Sequence, residues 1–594
     1  MSPAGETGGP PVSRRVLTVS ALAMVVAGAA AVVAQVLIRL IGFITNLSFY
    51  GRLSSSFASP AGNHLGWWVV AVPIVGGLIV GLLARYGSAG IRGHGIPEAM
   101  EQVLTNQSRI PARLTILKPL SAAIAIGTGG PFGAEGPIIA TGGALGSLVG
   151  QLLKTTGAER KTLLAAGATA GMAATFGAPI SSVLLAVELL LFEYRPASLI
   201  PVALASVTAT GIRLAFGGFL PVFSMPAVAA PQVGALVVYG LLGAVVGGAS
   251  VWVTHAVYSV EEQFERLPIH WMWWPALGAV VVGIVGYFAP RTLGVGYDNI
   301  SDLLGGQVIG SALITLFVLK FVSWVVALGS GTSGGTLAPL FIIGGGLGAA
   351  LGSLATGALP WAGVDFRVAA LVGMVAMFAG ASRAFLASVV FAFEATRQPY
   401  TILPLLAGGV AAYLVSYLLM RDTIMTRKIV RRGVRVIGEY GVDTLEGITV
   451  GTCMRAAVVT VAGDDTVTDV RRWLDSGIPG TSHQGFPVVG EGGELIGVIT
   501  RRDLHPAEGA ALIRDLIRRA PITVHEGQSL RAAADLMVVH GVGRLPVVSS
   551  GDNRALIGII TRSDLLRAHE PRLEEAHHAV QGIDVRRLWL DRSR

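Results

Sequence analysis

Charged residues are scarce in this sequence, and cysteine is almost absent. Only 13% of the 594 residues are Asp, Glu, Lys or Arg, whereas 52% are hydrophobic and the mean hydropathy is +0.65. Soluble domains carry about 25% charged residues, so the composition excludes an ordinary soluble protein. The single cysteine, Cys453, excludes an internal disulfide framework, and we expect it to be a buried filler rather than a reactive thiol.

The few charges are unevenly distributed along the chain. Between about residues 16 and 425, apolar runs of membrane-spanning length recur, and the clearest are 17–38, 68–84, 233–254, 274–289 and 308–328. Beyond about residue 427, acids and bases become frequent and the apolar runs shorten. This pattern predicts a multi-pass membrane domain followed by a soluble region.

Basic residues flank the membrane region at both ends. Arg14 and Arg15 precede the first apolar run, and five bases within 427–435 follow the last one. By the positive-inside rule both termini face the cytoplasm, which requires an even number of crossings. The net charge of +8 then reflects basic residues at the cytoplasmic surface of the cell membrane. It does not indicate binding to nucleic acid.

The membrane region repeats itself. Residues 127–150 match residues 329–352 at a constant offset of 202, and eight of the matched positions are identical glycines or prolines. Further along, Glu188 and Glu394 end equivalent apolar helices. Two halves with glycine-interrupted segments in the same place are typical of transporters and channels built from structural repeats. Chance similarity between closely packed, glycine-rich helices is the alternative.

The soluble region repeats as well. Residues 486–504 are echoed by residues 545–565, and each copy reads as strand, turn, strand and the start of a helix. Upstream of each copy, residues 458–474 and 521–537 read as strand, turn and amphipathic helix. Two such β-α-β-β-α units resemble a tandem pair of CBS domains.

Three glycine-rich motifs interrupt the apolar region: GHGIPEA (93–99), GAEGP (133–137) and GTLAP (335–339). Each motif is expected to open a helix, because the first helical turn tolerates the proline that each contains. The free N–H groups and positive dipole end of a helix attract anions, and they do so without a full cation that would hold the ion too tightly. The motifs therefore indicate an anion pathway.

In order and spacing, the three motifs resemble the CLC family of chloride channels and chloride/proton antiporters, over about residues 16–435. The family pattern is GSGIP, GREGP and GxFxP, with a tyrosine near the end of the last membrane helix, and members often carry a C-terminal CBS pair. The resemblance implies a multi-pass all-α membrane protein with inverted repeats (the CLC fold), followed by an α/β CBS pair. It also implies a homodimer in membrane lipid, with chloride or another small anion as the permeant ion.

Domain boundaries follow from this resemblance. The repeat halves of the membrane domain are expected at about 67–216 and 271–432. The segments are a disordered N-terminal tail (1–15), the CLC membrane domain (16–435), a linker (436–447), the first CBS domain (448–505), the second CBS domain (506–570) and a C-terminal tail (571–594).

Glu135, within GAEGP, matches the family's gating glutamate. Its carboxylate can occupy the anion's place until protonation or an arriving anion displaces it. An unpaired carboxylate is costly inside a membrane; a carboxylate satisfied by backbone N–H groups is the alternative, and it also describes a closed gate. The resemblance implies an anion site formed by His94, Gly95, Ile96, Gly133, Ala134, Gly136, Thr336, Leu337, Ala338 and Met425.

The sequence departs from the family pattern along this path. His94 replaces the anion-coordinating serine of GSGIP, and a helix-capping histidine turned away from the path is the alternative. Alanine replaces the arginine of GREGP, and leucine replaces the phenylalanine of GxFxP. Met425 takes the place of the tyrosine, so the usual inner hydroxyl is absent unless Thr423 or Thr426 substitutes. These changes bear on chloride selectivity and leave the anion class intact.

Leu189 bears on the transport mechanism. Glu188 matches the first of two adjacent glutamates in family antiporters, and Leu189 stands where the second, the internal proton acceptor, would be. Because leucine carries no proton, a voltage- or pH-gated passive channel is the favoured function. A chloride/proton antiporter, in which Glu188 or Glu193 relays protons, is the alternative. We expect Glu188 to be structural and bonded to nearby backbone.

The CBS resemblance implies an adenine nucleotide, with ATP as the first candidate, as a regulatory ligand. ITRRD (499–503) and ITRSD (560–564) resemble the segment that holds the ribose, and the opening strand of each copy is expected to face the adenine or the phosphates. The alternative is a threonine N-cap with the aspartate in the first helical turn. The candidate residues are Thr460, Thr500, Asp503, Thr523, Thr561 and Asp564.

Other function classes find little support in the sequence. It contains no nucleophile–base set, no metal-ligand cluster and no Walker loop, so we expect neither an enzyme nor a covalently bound cofactor. A cation transporter with CBS domains is disfavoured because the apolar region lacks a cluster of acids.

Overall fold

The computed structural model describes residues 14–153, 155–217, 221–434, 445, 448–549 and 551–570. The chain divides into two compact units, Met1–Tyr440 and Gly441–Arg594. The expected C-terminal tail (571–594) lies outside the described residues, as does all of the expected linker except residue 445.

The described part of the first unit is built mainly from α-helices. Their bounds are α1 (Arg14–Tyr50), α2 (Ala71–Leu82), α3 (Ile96–Thr105), α4 (Leu114–Gly127), α5 (Glu135–Leu152), α6 (Gly157–Phe176), α7 (Pro179–Ala186), α8 (Pro196–Gly217), α9 (Val233–Glu265), α10 (Trp274–Phe288), α11 (Tyr297–Gly305), α12 (Gly310–Gly329), α13 (Leu337–Ala358), α14 (Phe366–Ser382), α15 (Phe385–Thr396), α16 (Ile402–Leu419) and α17 (Arg427–Arg431).

Membrane-spanning helices dominate this unit. Among the described residues, eight helical segments are long and apolar enough to cross a membrane. Shorter apolar helices accompany them, and one of these, α14, is almost entirely buried. The prediction of a multi-pass membrane domain is therefore confirmed.

Helix α1 begins earlier than the sequence suggests. The disordered tail is expected to run to residue 15, but Arg14 and Arg15 are already helical. The Arg15 guanidinium donates to the Glu159 carboxylate in the first turn of α6, with a nitrogen–oxygen distance of 3.0 Å. This ion pair ties the start of α1 to α6; residues 1–13 of the expected tail lie outside the described residues.

The two halves of the membrane unit pack in the same way. Helix α5 lies along α6, and α13 lies along α14. A methyl group added at Gly142 would overlap the carbonyl oxygen of Gly167, and one added at Gly344 would overlap that of Gly373. Small residues let two helix backbones approach closely, so part of the glycine repeat is explained by helix packing.

Two glutamates join the halves reciprocally. The Glu188 carboxylate, just after α7, accepts hydrogen bonds from the N–H groups of Leu386 and Ala387 at the start of α15, at 2.9 and 3.0 Å. The Glu394 carboxylate, near the end of α15, accepts from Ile180 and Ser181 at the start of α7, both at 2.9 Å. Glu188 thus caps the start of α15, and Glu394 caps the start of α7. Free N–H groups at a helix start attract carboxylates.

The second unit contains two small sheets of the same topology. In each sheet the first strand is parallel to the second, and the second is antiparallel to the third. The strands of the first copy are β1 (Val461–Ala462), β2 (Gly485–Val489) and β3 (Leu495–Thr500); those of the second copy are β4 (Val524–His525), β5 (Arg544–Ser549) and β6 (Asp552–Thr561).

Helices complete the β-α-β-β-α order predicted for each copy. In both copies a helix follows the first strand and a short helix follows the third. Their bounds are Val467–Asp475 and Arg501–Leu504 in the first copy, and Leu530–Val539 and Arg562–Arg567 in the second; a further short helix, Val450–Cys453, precedes β1. Cys453 is half-buried rather than fully buried.

Candidate anion pathway and nucleotide site

The three glycine-rich motifs open three helices, as the sequence predicts. Helix α3 begins at Ile96 after Gly95, α5 begins at Glu135 after Ala134, and α13 begins at Leu337 after Thr336. Two of the starts are joined by backbone hydrogen bonds: Gly133 N–H donates to Gly335 O at 3.1 Å, and Gly335 N–H donates to Gly133 O at 2.9 Å. The starts of α5 and α13, which lie about two hundred residues apart in the sequence, therefore meet face to face.

The start of α3 packs against the same place. A methyl group added at Gly136 would overlap the carbonyl oxygen of His94 and lie 2.9 Å from the Cα atom of Gly335. One added at Gly95 would lie 2.5 Å from the carbonyl oxygen of Gly136. The three motifs therefore converge, and only glycine allows their backbones to approach this closely.

The Glu135 carboxylate lies at this junction. Glu135 is 1% exposed, and its Oε2 atom lies against Gly133 and 3.1 Å from the position of a methyl group at Gly335. Its Oε1 atom accepts a hydrogen bond of 2.8 Å from the Tyr297 hydroxyl. The carboxylate thus occupies the place where the helix starts converge.

Tyr297 is a residue that the sequence reasoning missed. It is the first residue of α11 and ends the loop GVGY (294–297). This loop lies 201 residues after GHGI (93–96), and both loops carry two glycines with positive φ. The repeat was visible in the sequence, but only two glycines match, which is too little to single out the tyrosine.

Two buried lysines hold these equivalent loops. Lys118 Nζ donates to the carbonyl oxygens of Ile91 and Gly93 at 2.7 and 2.8 Å. Lys320, 202 residues later, donates in the same way to those of Thr292 and Gly294, at 2.9 and 2.8 Å. Intramembrane ions are costly and mark functional sites. Here each lysine holds one of the two equivalent loops, and both ammonium groups lie beside the junction.

His94 and Thr336 also belong to the junction. His94 is 7% exposed, and its Nδ1 atom has no hydrogen-bond partner among the described residues. Thr336 is buried, and its hydroxyl likewise lacks a partner in the described part of the chain. Buried polar groups are normally paired, so both side chains have bonding capacity left for an ion or water.

A cavity of about 400 Å³ reaches the start of α3. It touches Gly95 and is lined by both acids and bases, among them Glu98, Lys118, Glu261 and Lys428. Glu98 Oε2 accepts a hydrogen bond of 2.6 Å from the Gly95 N–H. The cavity therefore provides a polar approach to one of the three helix starts.

The predicted nucleotide residues of the second unit are not gathered in one place. Thr500 and Asp503 open onto a cavity of about 470 Å³ that also exposes Arg518, Arg519 and Arg544. Thr460, Thr523, Thr561 and Asp564 do not line this cavity. Thr460 is exposed, and both Thr460 and Thr523 precede their strands by one residue.

The two threonine–aspartate pairs have the same local geometry. In each copy the aspartate accepts hydrogen bonds from the N–H and hydroxyl of the threonine three residues earlier: Asp503 from Thr500 at 2.8 and 2.6 Å, and Asp564 from Thr561 at 2.9 and 2.6 Å. Helix capping, the alternative considered from the sequence, is thus present in both copies.

The two aspartates, Asp503 and Asp564, have different surroundings. Asp564 is 1% exposed and forms a 3.2 Å ion pair with Arg455. Burial opposes ionisation of the Asp564 carboxyl, but hydrogen bonds from Thr561 and the charge of Arg455 prevail and hold its pKa below the ordinary value. Asp503 borders the open cavity instead.

Comparison with known proteins decides the family. The profile of the voltage gated chloride channel family matches residues 76–417, and that of the CBS domain matches residues 450–507 and 513–570. This chain belongs to the CLC family. The match covers more than half of the chain, and the tandem CBS pair is confirmed.

The relatives of this CLC protein are transporters and channels. An H(+)/Cl(-) exchange transporter ClcA of Vibrio campbellii is 30% identical over 63% of this chain and 82% of its own length. A protein of Ralstonia nicotianae, provisionally named a ClcB-like chloride channel protein, is 27% identical over 62% of this chain and 87% of its own length. The family to which this chain belongs therefore includes chloride/proton exchange transporters.

Solved structures share the fold. A slow cyanobacterial Cl−/H+ antiporter superposes with a TM-score of 0.64 at 24% identity, covering 72% of this chain and 99% of that chain. A eukaryotic CLC transporter superposes with a TM-score of 0.60 at 20% identity, covering 93% of this chain and 98% of that chain. The prediction of a CLC fold followed by a CBS pair is confirmed.

Two of the departures from the CLC pattern can be placed in the structure. Met425 is fully buried. The nearby hydroxyls have local partners: Thr423 and Thr426 bond to each other at 3.1 Å, and Thr423 Oγ1 also accepts from the Met425 and Thr426 N–H groups. Both hydroxyls are thus engaged within the turn that precedes α17.

The acids near Leu189 are also engaged. Leu189 is buried, and the Glu188 carboxylate binds backbone, as expected, although that backbone belongs to the opposite half of the repeat. Glu193 accepts a hydrogen bond from Ser198 at 2.6 Å and pairs with Lys161 at 2.9 Å. Both candidate proton relays therefore have structural partners.

Proposed function

We propose that this CLC protein exchanges chloride for protons, and that Glu135 is the group for which the two ions compete. The buried carboxylate at the junction of three helix starts carries the proposal. A carboxylate held there fills the position that suits an anion, and protonation removes the charge that keeps it in place. The two ions then act on one group, which couples their movement.

The named exchange transporters among the relatives favour exchange over passive conduction. Passive conduction, the function favoured by the sequence, is the second candidate, because Leu189 accepts no proton and Glu188 and Glu193 are both engaged. An exchanger of this sequence loads protons onto Glu135 by a route that does not include residue 189.

Flux measurements on purified protein in liposomes test this proposal. With a chloride gradient as the sole driving force, we expect protons to move against the direction of chloride, and the reversal potential to shift when only pH is changed. A reversal potential that follows chloride alone, with no proton movement above that of protein-free liposomes, would establish the channel function instead. Replacing chloride by bromide or nitrate on one side gives the anion preference.

We also propose that the CBS pair binds an adenine nucleotide, ATP in the first instance, in the cavity beside Thr500 and Asp503. The cavity volume of about 470 Å³ suits a small ligand. Three arginines supply the charges that phosphates require, and Asp503 supplies a carboxylate for the ribose hydroxyls. The equivalent Asp564 is less suitable, because Arg455 occupies its carboxylate.

Paired substitutions distinguish the two copies. Asp503→Ala is expected to abolish the thermal stabilisation that ATP gives the full-length protein, whereas Asp564→Ala leaves ATP stabilisation in place and lowers the melting temperature without nucleotide. The reason is that the buried Asp564 carboxylate accepts hydrogen bonds from the Thr561 N–H and hydroxyl, and donors that lose a buried acceptor are destabilising. Loss of ATP stabilisation in Asp564→Ala alone would move the site to the second copy.

The assembly and the orientation belong to the same proposal. We infer a homodimer in the cell membrane with both termini in the cytoplasm, from the family resemblance and from the bases that flank the membrane unit. Small anions, lipid and nucleotide are then its partners.

A further inference from the structure

We propose that Tyr297 is an anion ligand: its hydroxyl, which holds Glu135 in the structure, donates to the transported anion once the carboxylate has moved away. The inference rests on the proposed role of Glu135 as a gate that occupies an anion position. In the CLC pattern a tyrosine near the end of the last membrane helix supplies a hydroxyl to the anion path, and in this chain Met425 stands in its place. Tyr297 would supply a hydroxyl to the path from a different helix.

The hydrogen bond itself is the first argument. The Tyr297 hydroxyl donates to Glu135 Oε1 at 2.8 Å, so the carboxylate is bound as any anion would be. A phenol hydroxyl can donate one proton only. When the carboxylate leaves, this buried donor requires a new acceptor, because an unpaired buried donor is unfavourable. An anion that enters the vacated place meets this need.

The second argument is that Tyr297 stays in place when Glu135 moves. Its ring packs edge-on against Phe176, with centroids 6.1 Å apart, and against Phe223 at 6.0 Å. Phe176 in turn packs edge-on against Phe391 at 4.9 Å. Aromatic pairs of this geometry are attractive, so the hydroxyl is held by contacts that do not involve the gate.

The third argument comes from the repeat. Gly296–Tyr297 stands 201 residues after Gly95–Ile96, which belongs to the predicted anion site, and the Lys320 ammonium holds the loop before Tyr297 as Lys118 holds the loop before Ile96. In the first half the loop brings the backbone of His94 and Gly95 against α5. In the second half the equivalent loop brings a side-chain hydroxyl to the same junction.

Charge at the junction favours an anion. Lys320 is fully buried, and its ammonium group holds the loop that ends in Tyr297, whose hydroxyl binds the Glu135 carboxylate. When the carboxylate moves away or is protonated, the ammonium group loses this counter-charge. An anion bound at the Tyr297 hydroxyl restores it, which makes the vacated place selective for negative charge.

Chloride binding to the full-length protein in detergent, measured by calorimetry, tests the proposal. Glu135→Ala removes the competing carboxylate and serves as the reference. Adding Tyr297→Phe is expected to weaken chloride binding about tenfold or more, the loss that corresponds to one hydrogen bond to a charged group. Adding Tyr239→Phe instead is expected to leave the dissociation constant unchanged, because the Tyr239 hydroxyl bonds to the backbone of Asp365. Equal affinity in all three proteins would overturn the proposal.

A second measurement covers the case in which Tyr297→Phe fails to fold. In crystals of Glu135→Ala soaked in bromide, we expect an anomalous peak within hydrogen-bond distance of the Tyr297 hydroxyl oxygen. Bromide bound only elsewhere would overturn the proposal. If chloride binds at Tyr297 but the parent protein moves no protons, the exchange function fails and the ligand assignment stands. If exchange occurs and Tyr297→Phe binds chloride normally, only the ligand assignment fails.

Discussion

Replacing Glu135 by glutamine is expected to uncouple protons from chloride completely. Glutamine has the shape of the protonated side chain but neither carries the negative charge nor exchanges a proton in the working pH range. Proton flux should fall to that of protein-free liposomes, while chloride still moves. The pH dependence of chloride flux should disappear as well, because the Glu135 carboxylate lies where the helix starts meet, whereas the nearby Glu98 carboxylate is held by the Gly95 N–H.

The measurement is the simultaneous recording of chloride efflux and external pH on reconstituted protein. Glu262→Gln is a matched control, because the Glu262 carboxylate forms a partly exposed ion pair with Arg431 at 3.0 Å, and exposed pairs contribute little. The control is expected to exchange as the parent does. Proton transport that persists in Glu135→Gln would show that another residue binds the transported proton.

The sequence predicts those features of the pathway that depend on a few neighbouring residues. Each helix start is marked by neighbouring glycines and a proline, so Ile96, Glu135 and Leu337 were placed at helix starts from a few residues each. Convergence of the motifs at one junction is a tertiary property. It depends on backbone contacts such as those between Gly133 and Gly335, which no local pattern encodes.

Tyr297 illustrates what a local pattern cannot supply. The residue lies 162 positions from Glu135, and its loop shares only two glycines with GHGI. The same limit applies to Glu188: its carboxylate was expected to bind nearby backbone, but it caps α15 about two hundred residues away. Side chains that join two repeats are recognisable only when the halves are packed together.

In the CBS pair, too, local features were predictable from the sequence and long-range contacts were not. The strand–turn–strand order and the capping threonine–aspartate pairs were predictable, because both copies carry them within a few residues. The difference between the copies was not, because Arg455, which occupies Asp564, lies 109 residues before it in the sequence. Identical local motifs can therefore have different availability for a ligand.

The junction suggests that transport depends on backbone contact as much as on Glu135. Gly136 follows the gate directly, and its Cα hydrogens face the His94 carbonyl and the Gly335 backbone. The starts of α3, α5 and α13 are in direct contact at this position, and no space is left between them for a further atom. Any side chain at position 136 must therefore separate the three helix starts that form the anion position.

Gly136→Ala is accordingly expected to abolish chloride flux in liposomes, even though the added methyl group is small and uncharged. It would overlap the carbonyl oxygen of His94 and lie 2.9 Å from Gly335 Cα, and overpacking of this kind costs about 1–3 kcal/mol or more of folding free energy. Gly248→Ala is the matched control: it adds the same methyl group within α9, where nothing lies within 4 Å. There alanine stabilises the helix by about 1 kcal/mol relative to glycine, so flux should match that of the parent. Normal flux in Gly136→Ala would show that the helix starts separate freely, and that the anion position does not require their contact.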